Sequence, residues 1–138
     1  MTGFKGYVAS RPFQGHRVPQ HVQNIVIREY CKKNHLKYLL SGVEYGMENS
    51  YQMFRQIVHE INQIDGIVAY TIFQFPKDNN LRRELFSQVI QKSKSIHFAV
   101  EHLILNDLSS FKKIEEIYFT ANTYQDISNT KDIKNFVY

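Results

Sequence analysis

Tryptophan is absent, cysteine occurs once, and proline and glycine are scarce at three and six residues in 138. A lone cysteine excludes an intrachain disulfide, so no disulfide framework carries the fold. Cys31 falls on the apolar side of a predicted helix and reads as a packed thiol. No apolar run approaches the roughly 20 residues of a membrane span, and no signal-type apolar segment stands near the start. The expectation is a soluble, cytoplasmic protein that does not engage a membrane. The Gly-rich GxGxxG and Walker-type phosphate loops are missing, and so are His-x-His and HExxH pairs, although the chain has six histidines. No nucleotide cofactor and no metal ion is therefore expected.

What is present is an ordinary globular balance, 43% hydrophobic and 22% charged, with aromatics high at ten Phe and nine Tyr. The length fits one compact domain with a real core. A formal charge of +4 favours anionic ligands. It is spread along the chain and forms no basic stripe, which makes a nucleic-acid partner unlikely on charge grounds.

Hydrophobic periodicity predicts alternating strands and helices. Strands are read over residues 5–10, 36–45, 67–73 and 96–100. Helices are read over 19–34, from an N-cap at Asn49 or Ser50 to Gln63, over 80–94 and over 108–122. Residues 124–138 are polar with an apolar tip and read as a short helix or a C-terminal arm of a single domain spanning 1–138. The alternation implies an α/β fold, a small parallel four-stranded sheet of order 2-1-3-4 flanked by helices. Ligands of open parallel sheets collect at the carboxyl ends of the strands beside the switch in strand direction. An open sheet this small, rich in aromatics, is expected to complete itself as a homo-oligomer.

Polar groups follow every predicted strand. Ser10, Arg11, Gln14, His16, Arg17 and Gln20 fall within one loop after the first strand, with Asn24 on the helix beyond. A connector needs only turn residues, so this density points to a site for an anionic or highly polar ligand. Glu44, Tyr45 and Asn49 follow the second strand, Gln74 the third and Glu101 the fourth. Arg11 and Arg17 suit a phosphate or carboxylate through paired N–H donors, supplemented by the start of the first helix; alternatively one of them braces the loop on Glu44 or Glu48. His16 is the candidate acid–base group, and Glu44 or Glu101 the carboxylate acting on a substrate hydroxyl. Ser10 is a nucleophile only if a base such as His16, His21 or Glu44 reaches it. Gln14, Gln20, Asn24, Tyr45, Asn49 and Gln74 are candidate ligand-binding groups.

The segments Gly6-Tyr7-Val8-Ala9-Ser10-Arg11-Pro12-Phe13, residues 17–28 beginning Arg17-Val18-Pro19-Gln20-His21, and Leu40-Ser41-Gly42-Val43-Glu44-Tyr45 with Met47-Glu48-Asn49 carry a resemblance. Together they resemble the small bacterial sporadic carbohydrate cluster proteins over nearly the whole chain. That resemblance implies work in surface-polysaccharide or lipopolysaccharide sugar biosynthesis. It implies either an enzyme acting on a phosphorylated or nucleotide-linked sugar, or a non-catalytic partner or regulatory subunit of a pathway protein. The order of elements is also similar to the catalytic domain of serine recombinases, which implies a flavodoxin-like or resolvase-like three-layer sandwich. The recombinase Tyr-x-Arg-x-Ser pattern is not kept, since Ala9 and Arg11 stand where its Arg and Ser would be. Phosphodiester chemistry on DNA through Ser10 is therefore the remotest expectation.

Overall fold

The computed structural model describes residues 2–13, 15–45 and 50–137, with side chains as far as residue 123. The contacts cluster into two compact units, residues 1–106 and 107–138.

The first unit is an α/β layer structure. Its strands are β1 (Phe4–Ala9), β2 (Tyr38–Glu44), β3 (Gly66–Ala69), β4 (Ser95–Phe98) and β5 (Leu103–Leu105). Its helices are α1 (Gln20–Lys33), α2 (Gln52–His59) and α3 (Asn79–Gln91). The sheet order is β2-β1-β3-β4-β5, with the first four strands parallel and β5 antiparallel to β4. The expected order 2-1-3-4 stands for the parallel strands, and the all-parallel four-stranded sheet is corrected to a mixed five-stranded one. The physical cause is a turn after β4 in which His102 takes a left-handed backbone (φ 55°). It returns the three-residue run Leu103-Ile104-Leu105 along the β4 edge, Phe98 opposite Leu103. A run that short has no periodicity of its own.

Alternation along the strands assigns the two faces. Val8 and Val68 pack under Ile27, Tyr30 and Cys31 of α1. On the other face the tilted rings of Tyr7 and Phe54 of α2 meet, and Phe86 of α3 packs edge-to-face on Phe98 and Phe75. Cys31 is buried, as expected of a packed thiol. β1 and β2 pair with a bulge, since Lys5 opposes Leu39 while Tyr7 opposes Gly42. Gly6 is required there, because a Cβ would lie about 2.1 Å from Ser41 Oγ.

The third strand ends earlier than its apolar run suggests. β3 stops at Ala69, and Thr71 caps a 3-10 turn over Ile72–Gln74. Its hydroxyl accepts from the Phe73 N–H while the Gln74 side chain accepts from the Thr71 N–H, a capping box that competes with strand extension. Asp78 caps α3 through the N–H groups of Asn80 and Leu81.

The second unit is α4 (Leu108–Val137), one continuous helix that takes in both the expected helix over 108–122 and nearly all of the segment expected to be a short helix or an arm. Asp107 and Ser110 cap it reciprocally, Ser110 N–H donating to Asp107 Oδ1 and Asp107 N–H to Ser110 Oγ. Hydrogen bonds from the Ser110 backbone N–H, and then from its hydroxyl, hold the exposed Asp107 carboxyl below its ordinary range.

Candidate functional site at the carboxyl edge of the sheet

β1 connects through α1 to β2 on one side, and the chain then crosses back to β3 on the other. The switch in direction therefore lies between β1 and β3, and their carboxyl ends open a crevice. The loop after β1 is shaped by a two-way backbone exchange between Phe13 and His16 (2.9 and 3.0 Å) around Gly15 at φ 74°. That turn holds the Phe13 ring at the sheet edge, 5.9 Å from Tyr70, and leaves His16 and Arg17 exposed.

Beneath the loop lies a buried amide lock. Gln23 Nε2 donates to the carbonyls of Ala9 (2.7 Å) and Val18 (2.8 Å), while its Oε1 accepts from Ala9 N–H and from Gln74 Nε2. Both side chains are buried. Gln74, expected to bind ligand, spends its amide holding the end of β3 to α1, and one edge of it lines the crevice.

The two candidate carboxylates are engaged in the same manner. Glu44, 2% exposed at the end of β2, accepts from the N–H groups of Met53 and Phe54 (3.0 Å each) and from the Tyr7 hydroxyl (2.9 Å). It caps α2, whose own N-cap residue Tyr51 supplies no side-chain bond. Burial first, and then the neighbouring Glu44 carboxylate, push the Tyr7 phenol well above its ordinary range. Glu101 accepts from Ile72 N–H (2.8 Å) and from the Thr71 hydroxyl (2.5 Å), anchoring the 3-10 turn after β3.

The crevice has two parts. The narrower is a cavity of about 110 Å³ lined by Arg11, Phe13, Tyr51, Phe73, Gln74 and Lys77 among others. Arg11 stacks on the Tyr51 ring at 4.3 Å and donates to the Ser50 carbonyl at 2.6 Å. The wider part is an open depression of about 560 Å³ lined by Phe13, His16, Arg17, Tyr70, Thr71 and Phe73, with Val18 and Val100. Phe13 and Phe73 belong to both linings and form the wall between them.

The structure thus brings Arg11 and Gln74 to one part of the crevice, and His16 and Arg17 to the other. Ser10 lies beside it, its hydroxyl donating to the Glu44 carbonyl (3.2 Å). Asn24 faces away, accepting from Ser41 Oγ (2.6 Å) and Tyr38 (3.4 Å) to brace α1 on β2. Gln20 opens α1, and Tyr45 is exposed just past β2, neither in the lining of the crevice. Gln14 and Asn49, like Glu48, lie outside the described residues.

Sequence reasoning missed Gln23 as a structural lock and Phe13, Tyr70 and Phe73 as lining groups, whereas Lys77 is among the polar groups that follow the third predicted strand. An amide at the fourth residue of a helix carries no motif. Phe73 read as strand core, and only the turn at Thr71 brings it to the edge. Lys77 owes its place to Arg82, a fully buried guanidinium that donates to the carbonyls of Pro76 (2.9 Å) and Lys77 (3.3 Å) and to Asn79 Oδ1 (2.8 Å).

Among the described residues no group of three His, Cys, Asp or Glu side chains could hold a metal ion, and no helix is long and apolar enough to cross a membrane. In comparison with known proteins, no family model matches the chain and no curated protein matches it in sequence.

Proposed function

We propose that this protein binds a phosphorylated or nucleotide-linked sugar in the crevice between β1 and β3, in the cytoplasmic biosynthesis of bacterial surface carbohydrate. The observation that carries the reading is the division of cations about an aromatic wall, Arg11 and Lys77 on one side of Phe13 and Phe73 and Arg17 on the other. A guanidinium or ammonium takes phosphate oxygens, and an aromatic face takes the apolar side of a ring. The carbohydrate setting is supported by the resemblance in the segments around Arg11, Arg17 and Glu44.

As an enzyme, the protein would use His16 on the rim of the wider depression as its acid–base group. Glu44 and Glu101 would hold the frame of the site, since each already accepts from at least one backbone N–H and one hydroxyl. That same engagement favours a second reading, a non-catalytic partner or regulatory subunit that senses the sugar ligand for another protein of the pathway.

Thermal unfolding against nucleotide sugars, sugar phosphates and free nucleotides tests the reading. A ligand at a hundred times its dissociation constant adds about 2.7 kcal/mol. The expected result is a raised melting temperature that Arg17→Ala loses while its own unliganded melting point stays near the parent's. A shift that survives both Arg17→Ala and Lys77→Ala removes the site, and turnover that survives His16→Ala removes the catalytic assignment.

A further inference from the structure

We infer that the ligand carries a nucleoside, so that of the two classes above the nucleotide-linked sugar is the one this crevice takes. The inference rests on the functional reading just given and narrows it. The wider depression, about 560 Å³, lies within the usual range for small-molecule sites. Its wall is made of three rings, Phe13, Tyr70 and Phe73, with Phe13 and Tyr70 inclined at 51°. Each of these rings is half-buried.

A hexose bound there would bring a hydroxyl on nearly every ring carbon, and each hydroxyl removed from water needs a partner. The lining offers little. Thr71 already donates its hydroxyl proton to Glu101, which leaves His16 and Arg17 on the rim and the single Tyr70 hydroxyl as its polar side chains. A nucleobase has the opposite demand. It presents two flat faces that stack on aromatic rings and confines its polar atoms to the edge, where His16 and Arg17 stand.

The wall also places the phosphates. Because Phe13 and Phe73 line both parts of the crevice, a base stacked on them puts the attached phosphates at the mouth of the narrower cavity. Arg11 and Lys77 line that cavity, and Arg17 lines the other side of the wall. A diphosphate carries charge enough for both cationic sides.

Isothermal titration of the full chain with UDP-glucose, dTDP-glucose and GDP-mannose, against glucose 1-phosphate, mannose 1-phosphate and the free nucleoside diphosphates, decides the matter. At least one nucleotide sugar is expected to bind tenfold or more tightly than its matching sugar 1-phosphate. Phe13→Ala is expected to abolish most of that advantage. In saturation-transfer NMR on the unmutated protein, base protons are expected to saturate more strongly than hexose protons, a readout that does not depend on the variant folding. Equal affinity for the sugar 1-phosphates, or stronger saturation of the hexose, overturns the nucleoside while leaving the sugar-phosphate reading in place. Free nucleoside diphosphates that bind while their sugar derivatives do not overturn the nucleotide-linked sugar. Binding of none of the probes overturns both readings.

Discussion

Glu44 shows how one side chain is claimed by the fold. A carboxylate at a strand end reads from sequence as a group for substrate, yet its oxygens accept from the first turn of α2 and from Tyr7. Glu44→Ala removes a cap and strands a buried phenol, so urea unfolding should show a loss of about 2–4 kcal/mol. Glu44→Gln, which keeps one acceptor oxygen, should lose less. Stability equal to the parent in Glu44→Ala would contradict the anchoring role. His97 is a second buried polar group. Its Nδ1 lies 2.7 Å from the Tyr30 hydroxyl, Phe4 covers its ring edge-on, and burial holds its imidazole below the ordinary 6.5. The unfolded chain therefore takes up this proton at higher pH than the folded one. Stability from this group is complete above about 6.5 and falls as pH drops through the folded value. His97→Asn, which retains an acceptor for Tyr30, should flatten the dependence of the urea midpoint between pH 7 and pH 5. Identical slopes in the two proteins would exclude His97 as its source.

Elements are joined at this site by amides. Gln23 fastens the carboxyl end of β1 to α1 and, through Gln74, to the 3-10 turn after β3. An oxygen in place of Nε2 would face the carbonyls of Ala9 and Val18 at under 3 Å. Gln23→Glu is expected to cost about 2–4 kcal/mol at pH 8. The cost should shrink toward pH 4, where a protonated carboxyl again donates one hydrogen bond. A loss that does not vary with pH would show that the variant fails through packing alone. The helices were largely legible because α1 and α3 repeat their apolar residues at helical spacing. The strand ends were less so. Residues 67–73 are apolar throughout, and the termination at Ala69 depends on Thr71 meeting Gln74 and on Glu101 accepting from Ile72 N–H. The first of these is a three-residue capping-box spacing, but the second lies twenty-nine residues away, beyond any local pattern.

At the scale of the whole molecule, the sheet leaves β2 and β5 as edges with exposed apolar side chains, Leu40 on one and Ile104 on the other. Unpaired edges with apolar residues invite pairing with another chain, and self-association through them is the expected consequence. Sedimentation velocity at micromolar concentration should return a species heavier than 16.3 kDa, reduced toward that mass by Leu40→Lys or Ile104→Lys. A monomer in the unmutated protein would remove the expectation. The sequence by itself determined the α/β alternation, the order of the four parallel strands and the loop that carries Arg11, His16 and Arg17. Periodicity, short connections and right-handed crossovers are local or topological constraints, and they act on any chain with this pattern. Tertiary structure alone decided which polar groups meet solvent and which serve the frame. Glu44, Gln74 and Glu101 are equivalent in sequence to Arg11 and His16 as polar residues near strand ends. Their hydrogen-bond partners come from segments brought together only by folding, and buried backbone N–H groups claim the nearest acceptor.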